Sequence, residues 1–253
     1  MELLEHLVTA TRKPGLFRTH QPLFLLSHMR ANTSLLGHIL GSNPAICGYY
    51  EMHNGYYSWK SLLRQKLLYY RDHDLKPQAK YMFDKVLHDF HYVDMNLLNQ
   101  ANARIMFSAR EPEKTIKSTL SQFRRERPGH EFCDTEEVCQ YYCQRLQTLE
   151  QMAAAAHEYV YFDADELRRN TAELLQRLTT WLELDVPLRP EFDNFHFSGK
   201  LDSGDLSGRL ASGKVEKSTS DYSDIEIPET LLEQAQDAYA RFTVTMEAGS
   251  LPL

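Results

Sequence analysis

Residues 23–36 read Leu23-Phe24-Leu25-Leu26-Ser27-His28-Met29-Arg30-Ala31-Asn32-Thr33-Ser34-Leu35-Leu36. The leading apolar run is compact and suits a buried strand. Thr33 and Ser34 stand just before Leu35 and Leu36, where a helix start favours hydroxyl caps. A strand, a tight loop and a helix start together form an anion cradle. Backbone N–H groups at a helix N-terminus point at the ligand, and the helix dipole favours negative charge. Arg30 adds a fixed cation, and the two hydroxyls add donors. Capping alone explains Thr33 and Ser34 equally well. The stretch is not a Walker A sequence, because Gly-x-x-x-x-Gly-Lys-Ser/Thr is absent.

Outward from this stretch, strands and helices alternate. A short helix is expected over 1–12 and another over 33–41, ending near Gly41 and Pro44. Residues 46–51, 81–87, 104–109 and 159–162 read as strands. Trp59, Leu63, Leu67 and Tyr70 recur at helical spacing, which predicts an amphipathic helix over 58–71. Further helices are predicted over 113–125, 135–156 and 166–183, and Pro228 opens a last one. Asp134-x-x-Glu137 resembles a capping box, and Val138, Tyr142, Leu146, Leu149 and Ala153 supply the stripe behind it. Residues 190–227 are rich in Gly, Ser and Asp and read as a loop. The pattern predicts an α/β fold, one domain over 1–253, with a central parallel sheet flanked by helices on both faces.

The chain has 253 residues, 42% hydrophobic and 25% charged, with no repeat and no low-complexity tract. No apolar run approaches the roughly 20 residues of a membrane helix. The first residues carry acid and no apolar segment follows, so no signal peptide and a cytoplasmic location are expected. The net charge of −7 argues against nucleic acid as a partner. Cys139 and Cys143 share a helix face, with Cys133 and His130 nearby. Without a Cys-x-x-Cys pair they read as small apolar residues, and no metal is expected.

A second cluster lies in Ile105-Met106-Phe107-Ser108-Ala109-Arg110-Glu111-Pro112, followed by a helix with Ser118. Arg110 ends an apolar strand, where open α/β sheets place ligand sites. Residues 104–127 carry seven Lys/Arg against three Glu in a chain that is acidic overall. A solvated helix face would look the same.

These two segments, in this order, resemble the sulfotransferase family, which uses 3′-phosphoadenosine 5′-phosphosulfate (PAPS). Arg30-Ala31-Asn32-Thr33-Ser34-Leu35 matches its phosphosulfate loop, and Arg110, Pro112 and Ser118 match its 3′-phosphate site. Phe162-Asp163-Ala164-Asp165-Glu166-Leu167 is similar to the family's Tyr-Glu-Asp-Leu strand. Gly204-Asp205-Leu206-Ser207 with Gly213-Lys214-Val215 is similar to its nucleotide-closing segment. Asn32 stands where Gly is usual and Met29 where Pro is usual; Asn tolerates left-handed backbone.

The resemblance implies a P-loop NTPase-like sulfotransferase fold of the bacterial and carbohydrate-type branch, with a nucleotide-binding core over 22–127 and a lid over 190–227. It implies sulfuryl transfer from PAPS, without a metal, to a hydroxyl or amine of a small-molecule, lipid or sugar acceptor. A homodimer is compatible with it. Arg30, Ala31, Asn32, Thr33, Ser34, Arg110, Ser118, Arg209 and Lys214 are then nucleotide-binding, with Phe162 or Tyr161 stacking on adenine. Arg30 and Lys85, in Asp84-Lys85, become cations for the leaving phosphate; an exposed Asp84–Lys85 pair is the plainer reading. Glu51 and His88 both match bases of family branches; Glu51 is favoured because Arg30 and Asp84-Lys85 point to its branch. His53, Tyr56 and Tyr57 are expected in the acceptor pocket. A small-molecule kinase and a non-catalytic nucleotide-binding module are the competing readings; the kinase is disfavoured by the missing Gly-Lys-Ser/Thr.

Overall fold

The computed structural model describes residues 18–74, 76–196, 198, 209–216 and 221–253. The expected helix over 1–12 and Gly204 to Ser207 lie outside the described residues. Five parallel strands pair in the order β2-β3-β1-β4-β5: β1 Gln21–Leu26, β2 Ile46–Cys47, β3 Tyr81–Val86, β4 Arg104–Ala109 and β5 Val160–Asp163. In β1 the side chains alternate between two cores. Leu23 and Leu25 face a core with Leu35, Leu36 and Ile39 of α1 (Thr33–Ser42). Phe24 and Leu26 face the opposite core. Helices thus cover both faces, as all-parallel sheets require.

The helices after α1 are α2 (Trp59–Asp72), α3 (Met95–Gln100), α4 (Pro112–Glu126), α5 (Thr135–Ala155), α6 (Glu166–Arg169), α7 (Thr171–Trp181) and α8 (Glu229–Gly249). α7 joins α1 on one face; α3, α4, α5 and α8 cover the other. The chain therefore leaves β1 toward one face and β3 toward the other, and a crevice opens between their carboxyl ends.

Several boundaries differ from expectation for local reasons. The second strand is two residues long, because Gly48 turns out of it with φ +101. A Cβ there would lie 2.2 Å from the Phe83 carbonyl oxygen, so only glycine lets residues 48–51 cross β3 this closely. The helix expected over 166–183 breaks at Asn170. α3, not anticipated, is capped by the Asp94 side chain, which accepts from the Asn96 N–H. In α2 only part of the expected stripe is buried: Tyr70 is, whereas Trp59 is 65% exposed and Leu63 also faces solvent. Ser61, Gln65 and Tyr69 are buried beside Tyr70. Ser61 accepts from the Tyr57 N–H and from Asn54, and Gln65 donates to the Met82 carbonyl.

α5 carries a charge within its apolar face. Arg145 is fully buried; its Nε donates to the Ser27 carbonyl at 2.9 Å and its Nη2 to the Val86 carbonyl at 2.8 Å. Its Nη1 pairs with Asp89. One guanidinium thus ties the carboxyl ends of β1 and β3 and the loop beyond β3. Arg145→Met would strand the buried Ser27 carbonyl, leave the Val86 carbonyl with the Ser27 N–H alone, and free Asp89 from its charged partner. It is expected to cost about 3–5 kcal/mol in urea unfolding; a loss under about 1 kcal/mol would show that the carbonyls find other donors.

Candidate functional site

The loop after β1 turns through two left-handed residues, Arg30 at φ 63 and Asn32 at φ 55. Asn32 adopts the conformation that its substitution for Gly requires. It does not cap α1. Its Nδ2 donates to the Ala164 carbonyl at 2.9 Å, and its Oδ1 accepts from Arg168 Nε at 2.9 Å. The first N–H groups of α1 are left without an intrahelical partner, as at any helix start. Lys85, fully buried at the end of β3, donates from Nζ to Ser34 Oγ at 2.9 Å. Asp84 and Lys85 are both buried, so the exposed-pair reading is corrected.

Arg30, Arg110 and Ser118 come together beside this loop. Arg30 Nε donates to Ser118 Oγ at 2.9 Å, and Arg110 Nη1 donates to the Arg30 carbonyl at 3.3 Å. Tyr222 also donates to Ser118 at 3.1 Å. Arg110 Nε pairs with Asp165 at 2.8 Å, and Lys114 reaches the same carboxylate at 3.1 Å. Despite burial, these cations hold Asp165 below the usual carboxylate range.

Asp84 organises the opposite wall. It accepts from the Met52 N–H at 3.0 Å, the Lys85 N–H at 2.8 Å and the Tyr56 hydroxyl. Burial nevertheless raises it to about 7. These bonds fix residues 52–56 just beyond Glu51, which is 7% exposed. Burial pushes the Glu51 carboxyl above its usual range, against the pull of Lys85 and then His53. Glu51, His53, His88, Arg30 and Thr33 line one cavity of about 480 Å³. Four aromatics, Phe90, Phe123, Phe132 and Tyr141, line the same cavity. Burial, and secondarily Arg145, lower His88 to about 4.

Three expected contacts are displaced. Tyr56 is fully buried, its ring edge-on to Phe24 and its hydroxyl committed to Asp84, so it offers no surface to an acceptor. Tyr57 is 62% exposed and stacks on Tyr92; it is not among the residues lining the cavity. Phe162 is packed in the core with Leu23 and Leu167, leaving no free face for adenine. Lys214 is exposed, its segment joined to residues 190–192 through an antiparallel bridge with Glu191. The side chain of Arg209 lies outside the described residues, as do Lys200 and Lys217.

No family model matches the sequence, and no curated protein matches it. Solved structures do. A sulfotransferase domain from the curacin biosynthetic pathway superposes with a TM-score of 0.62 at 15% identity, over 89% of this chain and 98% of that one. A sulfotransferase from Mycobacterium avium, STF9, gives 0.57 at 13% identity, over 96% and 81%. The mouse sulfotransferase SULT7A1, solved with adenosine 3′,5′-bisphosphate (PAP), gives 0.55 at 13% identity, over 93% and 90%. The chain has a sulfotransferase-like fold. Among the described residues no helix is long and apolar enough to cross a membrane.

Within this sulfotransferase-like fold, sequence reading missed four residues that hold the site in place. Arg145 and Asp165 are described above. Tyr141 accepts from the Met29 N–H and donates to the Leu87 carbonyl, linking the two loops. His28 is fully buried, with Nδ1 2.8 Å from the Met29 carbonyl and Nε2 3.0 Å from the Arg110 N–H. Nδ1 therefore carries the proton and Nε2 accepts. Burial lowers this imidazole from 6.5 to about 4.

Above pH 6.5 both the folded and the unfolded chain hold His28 neutral. Between 6.5 and about 4 only the unfolded chain takes the proton, so stability falls with pH. The wild type should lose on the order of 3 kcal/mol from this group across that window, and His28→Gln should not. Urea unfolding of both proteins at pH 7 and pH 4.5 checks this; a pH-independent difference between them would refute it.

Proposed function

We propose that this protein is a sulfotransferase that moves a sulfuryl group from PAPS to a hydroxyl or amine acceptor. The observation that carries the reading is that Arg30, Thr33 and Glu51 line one cavity while the buried Lys85 donates to Ser34 at the start of α1. The reaction needs cations at the leaving phosphate, an in-line approach and a base for the acceptor proton. In this reading Arg30, Lys85 and the N–H groups of Ala31, Asn32, Thr33 and Ser34 serve the first task. Arg110 and Ser118, beside Arg30, suit a 3′-phosphate, with Asp165 sharing the charge of Arg110. The resident groups fit a phosphate-bearing donor at its phosphates; the adenine contact has no assigned residue.

Glu51 is the base in this reading. As the acceptor oxygen bonds to sulfur and the bond from sulfur to the phosphate oxygen breaks, the acceptor proton passes to its carboxylate. A carboxyl raised by burial is better matched to neutral pH than an imidazole lowered to about 4, which favours Glu51 over His88. The aromatic lining of the cavity suits an acceptor with a flat or apolar body. A kinase would want a Walker lysine within the loop; here the lysine arrives from β3.

Calorimetry with PAP, ADP and ATP tests the donor class. PAP should bind more tightly than ADP by about 1.5–3 kcal/mol, the worth of charge-assisted bonds to a 3′-phosphate. Arg110→Ala should erase most of that preference, and equal affinity of the wild type for PAP and ADP would sink the assignment. The base is tested separately, with PAPS and an accepted phenol or alcohol. Glu51→Gln should keep PAP affinity and lose roughly 10²–10⁴ in turnover, with His88→Asn losing less. The reverse order would make His88 the base.

A further inference from the structure

The wall that Asp84 organises brings Glu51, the base of the proposed transfer, together with His53 and His91, which that reading does not use. One ligand-type atom from each lies within 4.8 Å of the others. His53 Nδ1 is 3.3 Å from His91 Nε2 and 4.0 Å from Glu51 Oε1. Ligands around a tetrahedral zinc, each bound at about 2.0–2.2 Å, are themselves separated by roughly 3.3–3.5 Å. The two imidazoles already stand at that separation, and the gap between His53 and the carboxylate exceeds it by about half an ångström.

A second observation points the same way. Glu51 Oε1 is buried and has no hydrogen-bond donor among the described residues. One proton between the two imidazoles satisfies them alone and leaves that oxygen unmet, which is costly for a buried carboxylate. A cation at the centre of the three satisfies all of them at once. Two imidazoles and one carboxylate select transition metals over magnesium or calcium, which prefer all-oxygen sites. Glu51 and His53 also line the cavity, so a fourth position would open toward it, as in sites with three protein ligands.

We propose that Glu51, His53 and His91 form a binding site for a divalent transition-metal ion of the zinc class. The pattern is Glu-x-His on the segment after β2 and a histidine five residues beyond the end of β3. Bound metal would occupy the carboxylate that takes the acceptor proton and so inhibit transfer. That consequence, unlike the site itself, rests on Glu51 being the base.

Cobalt(II) reports the site directly. The full chain, with its thiols reduced, is titrated with cobalt chloride and then with zinc chloride. The expected result is the visible absorption of tetrahedral cobalt with nitrogen and oxygen ligands, at one equivalent, displaced by zinc with micromolar affinity. His91→Ala and His53→Gln should each weaken binding more than about tenfold while their thermal unfolding stays near that of the wild type. Absence of the band in the wild type overturns the proposal. So does an equal band in His91→Ala, or one with thiolate character, which would place the metal at Cys133 and its neighbours. Zinc should also inhibit transfer by the wild type, reversibly with chelator, and spare His91→Ala. If the cobalt band behaves as expected and zinc leaves transfer untouched, the metal site stands and the assignment of Glu51 as base falls.

Discussion

The buried guanidinium of Arg145 is the constraint on which the candidate site depends. At the crevice the Ser27 carbonyl lies beyond the ladder, and the Val86 carbonyl, which accepts the Ser27 N–H at 3.2 Å, has a second lone pair to satisfy. One side chain from α5 satisfies both and carries its charge to Asp89. The loops that follow these carbonyls bear Arg30, Asn32 and Thr33 on one side and His88 on the other. Their separation is set by the reach of one planar group, which is shorter and stiffer than a water bridge. Lysine could not replace it, having no fork with which to meet two carbonyls at fixed angles.

Around that anchor the charges are layered by burial. Asp84 and Lys85 are adjacent in sequence and point to opposite faces of β3, as strand geometry requires. Asp84 reaches the backbone of Met52 and the Tyr56 hydroxyl, and Lys85 reaches Ser34. A single dipeptide therefore holds one wall of the crevice and supplies a cation to the other. Glu51 feels both the desolvation and the lysine, and the two act in opposite directions on its proton.

Much of the sheet was legible because its strands are buried on both faces and read as apolar runs between loops. The loop after β1 and Arg110 stood out for the same reason, as polar residues at the ends of such runs. Tyr56 and Tyr57 misled because adjacent aromatics beside a glycine carry no sign of which one turns inward; a carboxylate on β3 decides it. Trp59 and Leu63 misled because α2 buries hydrogen-bonding side chains, and apolar periodicity does not record those. Arg145 left a usable trace. It stands between Tyr142, Leu146 and Leu149 on the apolar stripe of a long helix, where a charge needs a buried partner. His53 and His91 are far apart in sequence, and nothing local to either announces their meeting.

Asn32 has a consequence for how such chains are compared. A glycine in its place would supply the left-handed turn and nothing more. Asparagine supplies the turn and also latches the loop to Ala164 and Arg168, and Arg168 in turn donates to the carbonyl of Glu216. The departure from the usual glycine is thus one half of an exchange whose other half is more than a hundred residues away. Among relatives, positions 32 and 168 should change together: asparagine with arginine, glycine with residues that have no amide to meet. A motif search that scores position 32 alone counts a defect where the molecule holds a joint.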